Sequence, residues 1–235
     1  MDVLYFKLNG IVKQFLGDKW DLGLLISKTL GYAIITGSLI LKVPQILKIV
    51  SNKSAESISI ASIVLESIGF TITLLVNQML GYPFSTYGES FFILIQSIIL
   101  LVLVLKYSKK LNSLFYIGSI VYLAASFSIY KFANPYHLSL LQALNIPLFM
   151  ISKLPQISAI LKNKSVGQLS FITCFLNFGG SLARVFTTLK EVNDPVILTS
   201  YLIGSFLNGV ILVLFFLYWN KKTPTARIVS KEKQK

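Results

Sequence analysis

Apolar runs of about 20–25 residues follow one another along most of this chain, each long enough to cross a bilayer as a helix. They constrain the fold more than any motif does, because a backbone in hydrocarbon must satisfy its own N–H and C=O groups. Of the 235 residues, 54% are hydrophobic and 13% charged, and the mean hydropathy is +0.71. No soluble domain of this size needs so much apolar sequence. Seven spans are expected, at about 24–49, 58–79, 85–107, 111–129, 136–161, 169–189 and 195–219. Before them, Leu4, Leu8, Ile11, Val12, Phe15 and Leu16 repeat with helical spacing while Lys7, Lys13 and Asp18 face elsewhere. Residues 1–23 therefore read either as a leader with a short helix on the membrane surface or as an unstructured leader.

The chain also repeats itself. Lys42-Val43-Pro44-Gln45 returns much later as Lys153-Leu154-Pro155-Gln156. Asn52-Lys53-Ser54 returns as Asn163-Lys164-Ser165 at the same offset, and the match runs on to Gly69 and Gly180. A repeat of this length is a statement about architecture. It predicts an all-α membrane protein of seven transmembrane helices: a three-helix repeat over 24–107, a linker helix over 111–130, and a second three-helix repeat over 135–219. Four helices separate equivalent points, so the two repeats enter the membrane from the same side and are parallel about the membrane normal, as in some transporters.

Charge orients the chain. The net charge is +13, but the basic residues cluster at span ends and in the tail over 220–235, which is the pattern of a membrane protein and not of a nucleic-acid partner. The C-terminal side carries the larger share, from Lys48, Lys53, Lys106, Lys109, Lys110, Lys162 and Lys164 to the tail itself. The positive-inside rule then expects a cytosolic C-terminus and a luminal N-terminus. The ending Lys231-Glu232-Lys233-Gln234-Lys235 resembles the KxKxx signal that returns membrane proteins to the endoplasmic reticulum; an ordinary basic tail is the alternative. Residues 1–20 carry acids and an interrupted apolar pattern, so a cleavable signal peptide is not expected.

Catalysis is not expected. His137 is the only histidine and Cys174 the only cysteine, so no His-based triad, metal-spaced Cys/His set or intrachain disulfide is available, and no cofactor is implied. Cys174 reads as a small buried apolar residue, and Gly179, Gly180, Ser181 and Ala183 as a close-packing stripe. The prolines carry more information. Pro44, Pro147 and Pro155 are expected to free the carbonyls of Ile40, Ala143 and Ile151, making Pro44 and Pro155 a paired hinge at matched depth. Gln45 and Gln156 beside them are expected to hydrogen-bond in the bundle interior; simple kinks are the alternative.

Five ionisable residues of the expected spans are singled out as intramembrane: Lys42, Glu66, Glu89, Lys153 and Arg184. Each costs roughly 2.5–3.5 kcal/mol at a helix centre and so should face a cavity or a partner. Lys42 and Glu66 lie at similar depth, about 10–12 Å from the cytosolic face at about 1.5 Å per residue, and are expected to pair. Glu89 and Arg184 lie near the other face and are candidates for a second pair. Lys153 occupies the Lys42 position of the second repeat, but Asn177 stands where Glu66 would be. A surplus cation among Gln96, Gln142, Asn145, Asn177 and Asn208 suits an anionic ligand such as a phosphate. The competing reading is that Lys42 and Lys153 snorkel to the interface and bind nothing.

These features resemble the PQ-loop repeat family, seven-helix membrane proteins related in architecture to the SWEET sugar transporters. Within it they look like the mannose-P-dolichol utilization defect 1 family. The segments that carry the likeness are Lys42-Val43-Pro44-Gln45, Tyr82-Pro83-Phe84-Ser85-Thr86-Tyr87-Gly88-Glu89, Leu141 to Pro147, and Phe178-Gly179-Gly180-Ser181-Leu182-Ala183-Arg184. The resemblance implies use of dolichyl-phosphate-mannose and dolichyl-phosphate-glucose for glycosylation in the endoplasmic reticulum lumen. Lys42, Lys153 and Arg184 would contact phosphate, Glu66 and Glu89 would balance charge, and Asn145, Asn177, Gln96 and Asn208 would hydrogen-bond the sugar. Membrane lipid and luminal glycosyltransferases are the other partners implied. Two rival readings are a small-solute or proton-coupled transporter and a chaperone-like scaffold for glycosyltransferases.

Overall fold

A computed structural model describes residues 2–17, 19–55, 59–166 and 171–219, excepting the side chains of Asp2, Val3, Leu114, Phe149, Ser152 and Pro155. The basic tail and its terminal lysines, and the Gly167–Ser170 stretch of the second repeat, lie outside the described residues. What is described is all helical: α1 (Asp2–Leu16), α2 (Leu22–Ser38), α3 (Val43–Asn52), α4 (Ile60–Met79), a short 3₁₀ turn (Phe84–Thr86), α5 (Gly88–Tyr107), α6 (Ser113–Phe132), α7 (Pro135–Ala143), α8 (Asn145–Asn163), α9 (Phe171–Glu191) and α10 (Pro195–Tyr218).

Local chemistry sets the helix ends. Asp21 caps α2 by accepting from the Leu24 N–H at 2.6 Å. Ser59 caps α4 in the same way, accepting from the Ser62 N–H at 3.2 Å. Asn9 of α1 accepts from the Leu22 N–H at 2.8 Å, tying the leader helix to the start of α2. The large apolar residues of α1, Phe6 and Phe15 above all, are exposed. Among the described residues, five segments are long and apolar enough to cross a membrane: Leu22–Asn52, Ile60–Met79, Gly88–Tyr107, Phe115–Phe132 and Pro195–Tyr218. Helices α8 and α9 fall where two more spans are expected, but they carry Lys153, Gln156, Asn177 and Arg184, and so are more polar.

The chain packs as two compact units, one of Met1–Gln142 with Phe186–Asp194, the other of Ala143–Val185 with the residues from Pro195 on. In the first, Ile49, Ala55, Ile63, Leu100 and Val104 form a buried cluster. In the second, Ile160, Cys174, Ile211, Leu214 and Phe215 do the same. Ile49 and Ile160, Ile63 and Cys174, Leu100 and Ile211, and Val104 and Phe215 are each separated by the same offset as Pro44 and Pro155, so the repeat read from motifs extends to the two cores. The helices that bear the Pro-Gln pairs even end alike, on Lys53 and Lys164, both left-handed at φ 48°. Burying Cys174 in this cluster gives it the apolar role expected of it.

The two Pro-Gln helices begin differently, which corrects the expectation of a paired hinge. The first span breaks at Leu39–Lys42, and Pro44 then sits in the first turn of α3, where its missing N–H costs nothing. The Ile40 carbonyl, expected to be freed, accepts from the Val43 N–H at 3.2 Å. Helix α8 instead runs on through Pro155, and the fifth span breaks at Leu144, with Pro147 in the first turn of α8. Gln45 is exposed and not interior. The small-residue stripe is also open: a Cβ built on Gly179 or Gly180 meets nothing within 4 Å among the described residues.

Close backbone approach occurs elsewhere, where α2 crosses the 3₁₀ turn. A Cβ on Gly31 would lie 2.4 Å from the Ser85 carbonyl oxygen, whereas one on Gly37 of the same helix meets nothing within 4 Å. Gly31→Ala is expected to cost about 1–3 kcal/mol by overpacking and to lower the unfolding temperature in detergent by several degrees. Gly37→Ala should leave that temperature unchanged or slightly raised, because alanine is the better helix former.

Candidate functional site

At the break between α2 and α3, two backbone groups bond to one side chain. Gln96, buried on α5, accepts from the Lys42 N–H at 2.8 Å and donates its amide to the carbonyls of Ser38 (2.8 Å) and Phe92 (3.0 Å). Its amide is thus engaged in holding the break, where a sugar ligand was the expected partner. The same break places Lys42 at the start of α3, and its ammonium pairs with the Glu66 carboxylate of α4 at 2.6 Å, as their equal depth predicts. The lysine side chain is 12% exposed and the glutamate 38%, so this pair sits at the edge of the first unit.

The equivalent place in the second unit is built differently. Lys153 on α8, Asn177 on α9 and Asn208 on α10 line a cavity of about 30 Å³ together with Gln156, Thr173 and Cys174. That is room for about two water molecules. Asn208 donates to the Asn177 backbone carbonyl at 3.3 Å, which ties α10 to α9 beside the cavity. Asn177 and Thr173 are exposed at its mouth, while Lys153 and Gln156 are half-buried. Three of the predicted ligand residues therefore meet in one place. Asn145, buried at the start of α8, and Arg184, buried on α9, belong to the same unit but do not line that cavity. Glu89, in the first turn of α5, is half-buried and belongs to the first unit.

A second charged site was not found from sequence. Glu191, at the end of α9, has a side chain only 1% exposed. It accepts from the Lys28 ammonium at 2.7 Å, from the Ser27 hydroxyl at 2.5 Å and from the Ser85 hydroxyl at 2.7 Å, and Lys28 also donates to Ser85 at 3.0 Å. The available signal was Lys28, just inside the first expected span and hence in need of a partner. Glu191 was hidden because it follows Lys190 at a span end and reads as part of a solvated flank. Nearby, the Tyr82 hydroxyl donates to Asp194 at 3.1 Å. Partial burial, then the Asp194 charge and this hydrogen bond, push the phenol up to about 12.

The PQ loop repeat family matches residues 26–86 and 138–197, just over half of the chain and one copy in each expected repeat. The chain belongs to the PQ-loop repeat family. This PQ-loop protein is 29% identical over 180 residues to human solute carrier family 66 member 3, a match covering 76% of this chain and 87% of that protein. Its fold is similar to a solved eukaryotic SWEET transporter, with TM-score 0.69 and 15% identity, over 85% of this chain and 98% of that one. The chain is therefore a PQ-loop membrane protein with a SWEET-like fold. The segments matched by the family hold both lysine positions, Lys42 and Lys153.

Removing Glu191 from this PQ-loop protein takes away the carboxylate shared by a largely buried ammonium and two buried hydroxyls. Glu191→Ala is expected to destabilise by about 2–3 kcal/mol, discounted from the roughly 3–5 kcal/mol of a fully buried pair because Lys28 keeps some solvent. Lys28→Met combined with Glu191→Leu should recover most of that loss. Thermal unfolding of the three variants in one detergent measures both effects.

Proposed function

We propose that this PQ-loop protein is a non-enzymatic carrier or presenter of a membrane ligand that bears an anionic group, and that dolichyl-phosphate-mannose and dolichyl-phosphate-glucose are that ligand. The observation that carries the reading is Lys153, in an amide-lined cavity of a unit whose sequence from 143 to 185 and from 195 to 219 contains no Asp or Glu. A neutral free sugar has no use for that cation; a phosphodiester does. The likeness to the mannose-P-dolichol utilization defect 1 family supports the choice of lipid and a place in the endoplasmic reticulum membrane, serving luminal glycosyltransferases. The basic tail supports a cytosolic C-terminus and a luminal N-terminus. In this reading α7–α8 and α9 join the five apolar segments as spans, giving seven helices arranged as three, one and three.

A second reading, a carrier of a small soluble solute, is favoured by the solute-carrier name of the human relative and the SWEET-like fold. Reconstitution separates the two. Purified protein in liposomes is expected to accelerate transbilayer movement of dolichyl-phosphate-mannose, or to bind it, with Lys153→Ala reducing the effect at least tenfold. Uptake of free mannose or amino acids that is indifferent to Lys153, with no effect on the lipid, would establish the second reading instead.

A further inference from the structure

The two lysine sites can be compared position by position. Lys153, Gln156, Thr173, Cys174, Asn177 and Asn208 line the site in the second unit. At the equivalent positions of the first repeat stand Lys42, Gln45, Ser62, Ile63, Glu66 and Ser97. Lysine and glutamine are kept, Ser62 and Thr173 both offer a hydroxyl, Ile63 and Cys174 are both buried, Ser97 and Asn208 are both uncharged and polar, and one position alone changes charge. Glu66 carries a charge; Asn177 has nearly the same shape class, one methylene shorter, and carries none. In the first unit the carboxylate lies 2.6 Å from the lysine ammonium. In the second unit the corresponding neighbourhood holds the cavity.

We infer that an oxyanion of the ligand occupies, in the second repeat, the place that the Glu66 carboxylate occupies in the first. Three observations converge on it. The cavity has room for about two water molecules beside the lysine, enough for the two oxygens of a carboxylate or one edge of a phosphate. Its wall offers donors suited to such an anion: the Lys153 ammonium, the amides of Gln156 and Asn177 and the Thr173 hydroxyl. Its mouth is formed by Asn177 and Thr173, both exposed. A polar amide in mid-helix faces lipid only at a cost, so this mouth opens toward a polar space.

A consequence for specificity follows. The donors at the wall address the charged group, and whatever is attached to that group extends toward the open side of the cavity. The site reads the oxyanion and is indifferent to the moiety it carries. This rests on the reading of Lys153 as a ligand contact given above, but it holds for a phosphate from a lipid headgroup or from solution alike.

The test is thermal unfolding of the full chain in lipid nanodiscs, titrated with inorganic phosphate, acetate and mannose, and separately with dolichyl-phosphate-mannose in the nanodisc. Phosphate and acetate are expected to raise the unfolding temperature in a saturable way, and mannose to leave it unchanged. Asn177→Glu, which installs the first-repeat carboxylate, should raise the unliganded unfolding temperature and weaken anion binding at least tenfold. Glu66→Gln should add a second saturable anion response that is absent in the unsubstituted chain, and it gives an independent readout should Asn177→Glu fold poorly. Anion binding that Asn177→Glu leaves unchanged, or a mannose response equal to that of phosphate, overturns the inference. A phosphate response removed by Asn177→Glu, with no effect of dolichyl-phosphate-mannose, keeps the inference and overturns the lipid reading. A response to dolichyl-phosphate-mannose that survives Asn177→Glu keeps the lipid reading and overturns the inference.

Discussion

Backbone groups in apolar surroundings must find partners, and in the first repeat that requirement converges on Gln96. Its amide accepts from the Lys42 N–H at the end of the break and donates to the Ser38 carbonyl before it, so one side chain bridges the α2–α3 break. The break in turn starts α3 at Lys42 and aims the lysine at Glu66. Without the Gln96 bridge the Lys42 N–H would need another acceptor, whereas the Ser38 carbonyl would keep the Leu41 N–H at 3.3 Å. The second repeat has Leu207 in the Gln96 position, and α8 runs unbroken through the lysine. The copy with the glutamine is broken just before its Pro-Gln pair, and the copy with Leu207 is helical through that point.

The duplication is deepest where it is least visible. The clusters beneath the two Pro-Gln helices use equivalent positions, yet the residues differ: Val104 corresponds to Phe215 and Ile63 to Cys174 across the repeat. Volume is redistributed, and both clusters remain apolar. Cores tolerate such exchanges as long as total packing is kept. The polar positions above the clusters do not behave in this way. Where Glu66 pairs with Lys42 in the first unit, Asn177 stands with Lys153 at the wall of a cavity in the second. Divergence in the core keeps both clusters apolar, and divergence one helical turn away from it changes the charge beside the lysine.

Much of this was legible in the chain itself. The helical class, the repeat offset and the Lys42–Glu66 pair follow from apolar run lengths, motif spacing and depth, which are local or nearly one-dimensional quantities. The Lys153, Asn177 and Asn208 grouping was also approached in this way, because depth along parallel helices is a usable coordinate. Gln96 was misread as a ligand contact, since nothing in its neighbours reveals that a helix breaks opposite it. The matched hinge failed for a related reason: proline position shows where a helix can break, whereas packing and available partners decide where it does. Glu191 was missed because its partners Lys28, Ser27 and Ser85 come from distant segments.

By itself the sequence determined that this chain forms apolar helices, that it is built twice over at one constant offset, and that its second copy lacks the carboxylate of the first. These follow from composition and spacing, which no tertiary arrangement can alter. Only the tertiary structure decided which amides are engaged by backbone and which are left to line a cavity, and which charged groups are buried together. Those outcomes depend on side chains from separate helices arriving within about 3 Å of one another, the reach of a hydrogen bond. A linear pattern carries no direct record of that distance.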